Sequence, residues 1–202
     1  MKKPIAIIAG EPNSISSEII FKSWKLRKKH TYKPLIVIGS FHLLNLQRKK
    51  LKYRIKLRKV RDSFLISKHN RHELMVYDVK YMQRLPFQKI SVRSNKYIFN
   101  CFDIVINLLK NKRILGFINC PIAKEFLFKN KHQGITEFLS KKMGKHEKET
   151  MLIYNKKLSV SPLTTHVRLK DVSSKIKKSK ILNNVNLIYN FFKRNFNKKP
   201  NI

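Results

Sequence analysis

Short apolar runs alternate along this chain with longer segments of helical period, a pattern that predicts βα units and a parallel or mixed sheet. The α/β class follows. Ile5 to Ala9 predicts a first buried strand, and Ser16 to Lys29 a helix with Ile19, Ile20 and Trp24 turned inward. Pro34 to Gly39 predicts a second strand, followed by a helix that Ser40 can cap through its side-chain oxygen. Glu73 to Asp78 predicts another strand, while the basic stretch between Lys49 and Lys59 reads equally as edge strand or loop.

The clearest helix spans Asn95 to Lys110, where Ile98, Cys101, Phe102, Val105, Leu108 and Leu109 recur at i, i+3, i+4 and i+7. Ile114 to Asn119 then predicts a buried strand, with Cys120-Pro121 turning into a short helix. Thr136 opens a further helix. Thr150 to Tyr154 and Leu158 to Ser161 predict paired strands, and Ile181, Val185, Ile188 and Phe192 line one face of a last helix. The tail from Asn195 to Ile202 is polar and reads as frayed. The chain has no internal repeat.

A chain of 202 residues with 42% hydrophobic content can bury a core, as one domain or two small ones. No apolar run approaches the roughly 20 residues that cross a bilayer, and the first apolar run is too short for a signal peptide. Cys101 and Cys120 have neither CxxC nor zinc-ligand spacing, which points to a reduced, cytoplasmic setting. The 46 Lys and Arg against 11 Asp and Glu give a formal charge of +35, which attracts polyanions nonspecifically at low salt. These cations are spread through Lys25 to Lys29, Arg48 to Lys59 and Lys175 to Lys180, and mark no single stripe. With no zinc finger, RNP-like aromatic motif or basic zipper, the charge reads as compositional bias rather than selected nucleic-acid recognition.

Four polar clusters hold the candidate chemistry. The first, Gly10-Glu11-Pro12-Asn13-Ser14-Ile15-Ser16-Ser17-Glu18, lies between the first strand and its helix, where ligands often bind in α/β sheets. Its serines read as N-caps of a strand-to-helix turn, and it is not a GxGxxG loop. In Cys120-Pro121-Ile122-Ala123-Lys124, Lys124 is a compact cation suited to a phosphate, and Cys120 reads as a buried, inert thiol. In Gly134-Ile135-Thr136-Glu137-Phe138, Thr136 is either a helix N-cap or a substrate contact. In Thr164-Thr165-His166-Val167-Arg168-Leu169-Lys170-Asp171, His166 is either a satisfied polar residue or a ligand for a divalent cation. The other histidines, His30, His42, His69, His72, His132 and His146, fall in basic segments and read as surface positions.

Taken in this order, the four clusters resemble the 4-hydroxythreonine-4-phosphate dehydrogenase family of the vitamin B6 pathway. The first loop is similar to the family's Gly-Glu-Pro-Ala-Gly-Ile-Gly-Pro-Glu, with Ser14, Ser16 and Ser17 standing at its second and third glycines and later proline. Pro121, Ile122 and Lys124 match Thr-Gly-Pro-Ile-Asn-Lys. Thr136 and Glu137 match Gly-His-Thr-Glu-Phe, with Ile135 at the histidine. His166 matches the metal-binding histidine of Thr-Thr-His-x-Pro-Leu, with Arg168 at the proline and Asp171 retained.

The resemblance covers roughly the first two-thirds of a typical member and implies an isocitrate/isopropylmalate dehydrogenase-like α/β fold, incomplete at the C-terminus. It implies a first domain over 1–118 and a truncated second over 119–202. Thr136 and Lys124 would face a phosphorylated small-molecule substrate, and His166 would hold a divalent metal such as Zn²⁺, Mg²⁺ or Co²⁺ as part of a set of three histidines pooled across a dimer. The family reaction is NAD(P)-dependent oxidation of 4-phosphohydroxy-L-threonine with decarboxylation to 3-amino-2-oxopropyl phosphate. The chain alone is expected to be inactive, its missing C-terminal half or a homodimer partner supplying the rest. The alternatives are an inactive remnant and a nonspecific basic nucleic-acid-binding protein.

Overall fold

Five strands, β1 (Ile5–Ile8), β2 (Leu35–Gly39), β3 (Lys56–Val60), β4 (Glu73–Asp78) and β5 (Gly116–Asn119), form one parallel sheet in the order β3-β4-β2-β1-β5. The structure is a computed structural model that describes residues 3–27, 34–60, 72–128, 134–145, 149–155, 157–165 and 167–202. The chain divides into two compact units, Met1–Lys129 and Asn130–Ile202, and the sheet belongs to the first.

Parallel neighbours cannot be joined by a tight turn, so helices cross between them and cover both faces. On one face α1 (Ser16–Leu26) and α2 (Phe41–Lys50) bring Ile20, Phe21, Trp24 and Leu44 against Val37, Leu74 and Val76. The pleat turns Ile36 and Ile38 to the opposite face, and α3 (Asn95–Lys110) packs on β1 and β2 with Ile98, Cys101, Phe102 and Val105 almost fully buried. Being covered on both sides is why β2 reads as an unbroken apolar run. Each such large side chain contributes about 1.5–3 kcal/mol of hydrophobic stabilisation.

Strands β1, β2 and β4 and helix α3 fall where the periodicity predicts them, and the basic stretch resolves as edge strand β3 paired with β4. Two expectations are corrected. Ile19 is 40% exposed, because the buried stripe of α1 runs through Ser17, Ile20, Phe21 and Trp24 at i, i+3, i+4 and i+7, and Ile19 lies off it. The run from Ile114 becomes a strand only at Gly116, and Ile118 is 56% exposed. The reason is position, since among the described residues β5 pairs with β1 alone. After Cys120-Pro121 the short helix α4 (Lys124–Phe128) follows as expected.

The second unit contains α5 (Ile135–Lys142), α6 (Val172–Lys175) and α7 (Lys178–Phe196). The expected strand pair reduces to one antiparallel bridge, Ile153 with Val160, closed by two backbone hydrogen bonds of 2.8 and 3.0 Å. An isolated two-stranded ladder has too little to pack on to lengthen. On α7 only Ile188 is buried, Val185 and Phe192 are half-buried, and Ile181 is exposed. Asn195 and Phe196 are helical rather than frayed, because Asn197 takes the left-handed conformation (φ 50°) that terminates α7. Among the described residues no helix is long and apolar enough to cross a membrane.

Candidate active site

The loops leaving β1, β2, β4 and β5 meet at the carboxyl end of the sheet, and the loop after β1 is pinned to the segment after β5. Glu11 N–H donates to the Pro121 carbonyl at 2.9 Å, and the Ser16 hydroxyl reaches the same oxygen at 3.3 Å. Gly10 makes this approach possible: its φ is +72°, and a Cβ there would strike the Pro121 carbonyl oxygen.

Glu11 is 2% exposed. Its Oε2 accepts from the Ser94 hydroxyl at 2.8 Å and its Oε1 from Asn13 N–H at 3.2 Å. Among the described residues it has no ion pair, so hydrogen bonds alone hold the carboxylate. Asn13 extends the network, its Oδ1 accepting from Gln83 Nε2 at 2.8 Å and from Gln88 N–H at 2.9 Å. Gln47 Nε2 ties Pro12 O to Pro86 O at 2.6 and 2.9 Å. These bonds fasten the irregular segment after β4 beneath the first loop.

A cavity of about 10 Å³ lies behind Glu11, lined also by Ser16, Ser17, Ser40, Gln47 and Tyr97, and has room for about one water molecule. The Ser17 hydroxyl is buried there and makes no hydrogen bond to a described residue. The Tyr97 hydroxyl accepts from Ser40 N–H at 3.1 Å, and burial first, then the neighbouring Cys101, pushes its pKa well above 10. Ser40 caps α2 as expected, accepting from Leu43 N–H at 3.3 Å while donating to Tyr81 O at 3.0 Å. The start of α1 departs from expectation. Its N-cap position is Ile15, and Ser14 does the capping from one residue earlier, accepting from Ser16 N–H at 3.2 Å.

Lys124 is exposed on the first turn of α4, just after the segment that holds the first loop. Thr136 is not an N-cap. The helix α5 begins one residue earlier, Gly134 occupies the N-cap position with extended backbone, and Thr136 is exposed in the first turn. The Glu137 carboxylate folds back over Gly134. Lys124 belongs to the first unit and Thr136 to the second.

His166 lies outside the described residues, as do His30, His69, His132 and His146, whereas His42 and His72 are exposed. Beside it Asp171 is engaged by Arg168, Nε to Oδ2 at 2.8 Å. Among the described residues no group of three or more His, Cys, Asp or Glu can hold a metal ion, so they do not provide the donor set that the resemblance implies.

Burial pushes the Cys120 thiol up to about 11 and the Cys101 thiol up to about 12, which keeps both protonated and inert at neutral pH. Sequence reasoning missed Glu11, Ser94, Tyr97 and the glutamines as a network. Glu11 alone carried a signal, as the first acidic residue in a run that otherwise reads as buried.

The family model described as pyridoxal phosphate biosynthetic protein PdxA matches residues 30–202. The 4-hydroxythreonine-4-phosphate dehydrogenase of Aquifex aeolicus is 31% identical over 209 residues, covering 99% of this chain and 61% of that protein. That of Sulfurihydrogenibium sp. is 29% identical over 202 residues, covering 98% and 61%. Solved structures of the Burkholderia phymatum and Klebsiella pneumoniae dehydrogenases of the same name superpose with TM-scores of 0.84 and 0.80 at 20% and 24% identity, over 98% and 96% of this chain and 61% and 59% of theirs. At these identities the likeness shows the fold, which is isocitrate/isopropylmalate dehydrogenase-like. The chain spans about 61% of the length of the curated relatives it matches.

Proposed function

The chain belongs to the pyridoxal phosphate biosynthetic protein PdxA family, and we propose that it forms the sheet-bearing part of a 4-hydroxythreonine-4-phosphate dehydrogenase. The family match over residues 30–202 carries this reading. The proposed reaction is oxidation of the secondary alcohol of 4-phosphohydroxy-L-threonine with NAD(P) as hydride acceptor, then loss of carbon dioxide to leave 3-amino-2-oxopropyl phosphate. Lys124, exposed beside the docked loop, offers its ammonium to the substrate phosphate. Thr136 offers a hydroxyl, whereas Ile135 beside it can make no side-chain hydrogen bond. His166 is the one ligand position this chain contributes to a divalent metal. The described residues do not complete that donor set, so no step is assigned to the metal.

On this reading the chain needs residues from outside the described set to turn over. The test is NADH formation by the purified chain with NAD and Zn²⁺ or Mg²⁺, alone and with a fragment carrying the remaining C-terminal part of the Aquifex aeolicus relative, in the native sequence and in Ile135→His. The expected result is none from the chain alone and turnover from the Ile135→His chain with the fragment. Silence in every combination would sink the assignment. Turnover by the unmodified chain alone, abolished in His166→Ala, would show that it needs nothing further.

A second reading, nonspecific attachment to polyanions, is favoured by the charge of +35.

A further inference from the structure

We propose that the free edge of β5 is a docking edge for an extended strand of a further polypeptide segment, the part of the relatives' length that this chain does not span. This rests on the family reading above and names the partner that reading requires.

The two edges of the sheet are built differently. Edge strand β3 carries Lys56, Arg58 and Lys59, with Arg58 and Lys59 paired to Glu73 and Asp78 of β4. Lysines and arginines on an edge are a standard defence against further strand pairing. Edge strand β5, Gly116-Phe117-Ile118-Asn119, has no charged side chain, and the residue before it, Leu115, is 57% exposed.

The core also runs out at this edge. Val76 pairs with Val37, Val37 with Ile7 and Ile7 with Ile118, so the four form one row across a single face of the sheet. Val76 and Val37 are 0% exposed, Ile7 is half-buried, and Ile118 is 56% exposed. A β-branched residue at the end of a core row, on a strand with one unpaired side among the described residues, is the arrangement that strand addition uses.

The comparisons identify the occupant. The Aquifex aeolicus alignment takes in 99% of this chain but 61% of the relative, leaving about two-fifths of that protein to supply strands. A second copy of this chain would instead set one charge of +35 against another. An incoming strand should be apolar opposite Leu115 and Ile118 and free of cations. It would also set its adjoining loop beside Asn119–Lys124, next to the candidate site, where described residues supply no metal donor set.

The test measures hydrogen exchange and sedimentation of the full chain with and without the same Aquifex aeolicus fragment. The expected result is a one-to-one complex in which the amides of Gly116–Asn119 exchange at least about tenfold more slowly, and in which Ile118→Lys or Leu115→Lys weakens binding by about tenfold or more. Both side chains are exposed, so both variants should melt with the parent. Failure to bind, binding without protection of β5, or full affinity in both variants would overturn the proposal, as would a homodimer that protects β5. A protected complex without NADH formation would count against the proposed reaction alone. NADH formation without protection of β5 would count against the docking edge alone.

Discussion

The Ser94 hydroxyl donates to Glu11 Oε2 at 2.8 Å, joining two residues 83 positions apart, both almost fully buried. The bond ties the loop after β1 to the turn before α3, and with Asn13 N–H it solvates a buried carboxylate that has no ion pair among the described residues. Losing a donor here leaves a charge underbonded. Ser94→Ala is expected to cost about 1.5–3 kcal/mol, the usual worth of a hydrogen bond to a charged group. Glu11→Gln should couple to it by at least about 0.5 kcal/mol in a double-mutant cycle. Urea unfolding followed through Trp24, the single tryptophan, measures both, and purely additive effects would contradict the pairing.

Gly10→Ala and Gly144→Ala provide a contrast in cause. Both positions have positive φ, +72° and +64°, but a Cβ at Gly10 meets the Pro121 and Cys120 carbonyls whereas one at Gly144 meets open space. Gly144→Ala should cost only the conformational penalty of about 1–2 kcal/mol. Gly10→Ala should cost clearly more and loosen the loop that carries Glu11. Equal unfolding midpoints for the two variants would refute this.

Alkaline stability should reflect the buried thiols. Burial raises Cys101 and Cys120 from 9.0 to about 12 and about 11, so the folded chain keeps protons that the unfolded chain releases. The contribution is therefore full below pH 9.0 and is lost as pH rises through about 11 and about 12. The buried Tyr97 phenol, raised mainly by burial, acts in the same direction. Unfolding midpoints measured upward from pH 8 should fall, and the fall should flatten in Cys101→Ala and Cys120→Ala. A midpoint that holds steady through this range would show that the thiols are not shielded.

Polyanion binding should be sequence-independent and steeply salt-dependent, with log K falling by about 0.9 per neutralised phosphate for each unit of log salt on duplex DNA. Titrations of two unrelated duplexes at rising salt measure it. Tight binding to one of them that survives high salt would indicate a base-reading element.

Much of the fold was legible because its elements bury one face or two, and burial leaves a local period. Helix α3 shows this at i, i+3, i+4 and i+7, and β2 shows it as an unbroken apolar run. The candidate site was less legible. Lys124 and Thr136 stand in recognisable clusters, but whether a threonine caps a helix depends on where the first helical turn begins, and here that is Ile135. Tyr97 and Ser94 read simply as parts of a helix and the turn before it. Their partners, Ser40 N–H and Glu11 Oε2, lie 57 and 83 positions away.

The sequence by itself determined the α/β class, the places of most elements and the excess of positive charge, because each is a property of neighbouring residues or of composition. Only the tertiary structure decided that β5 lies at an edge while the similarly apolar β2 lies second in from it, and that the Glu11 carboxylate is held by Ser94 and Asn13 rather than by a cation. Strand order and buried polar pairing arise when segments far apart in the chain close upon one another. A run such as Ile114 to Asn119 records that it can be buried, not what lies on its far side.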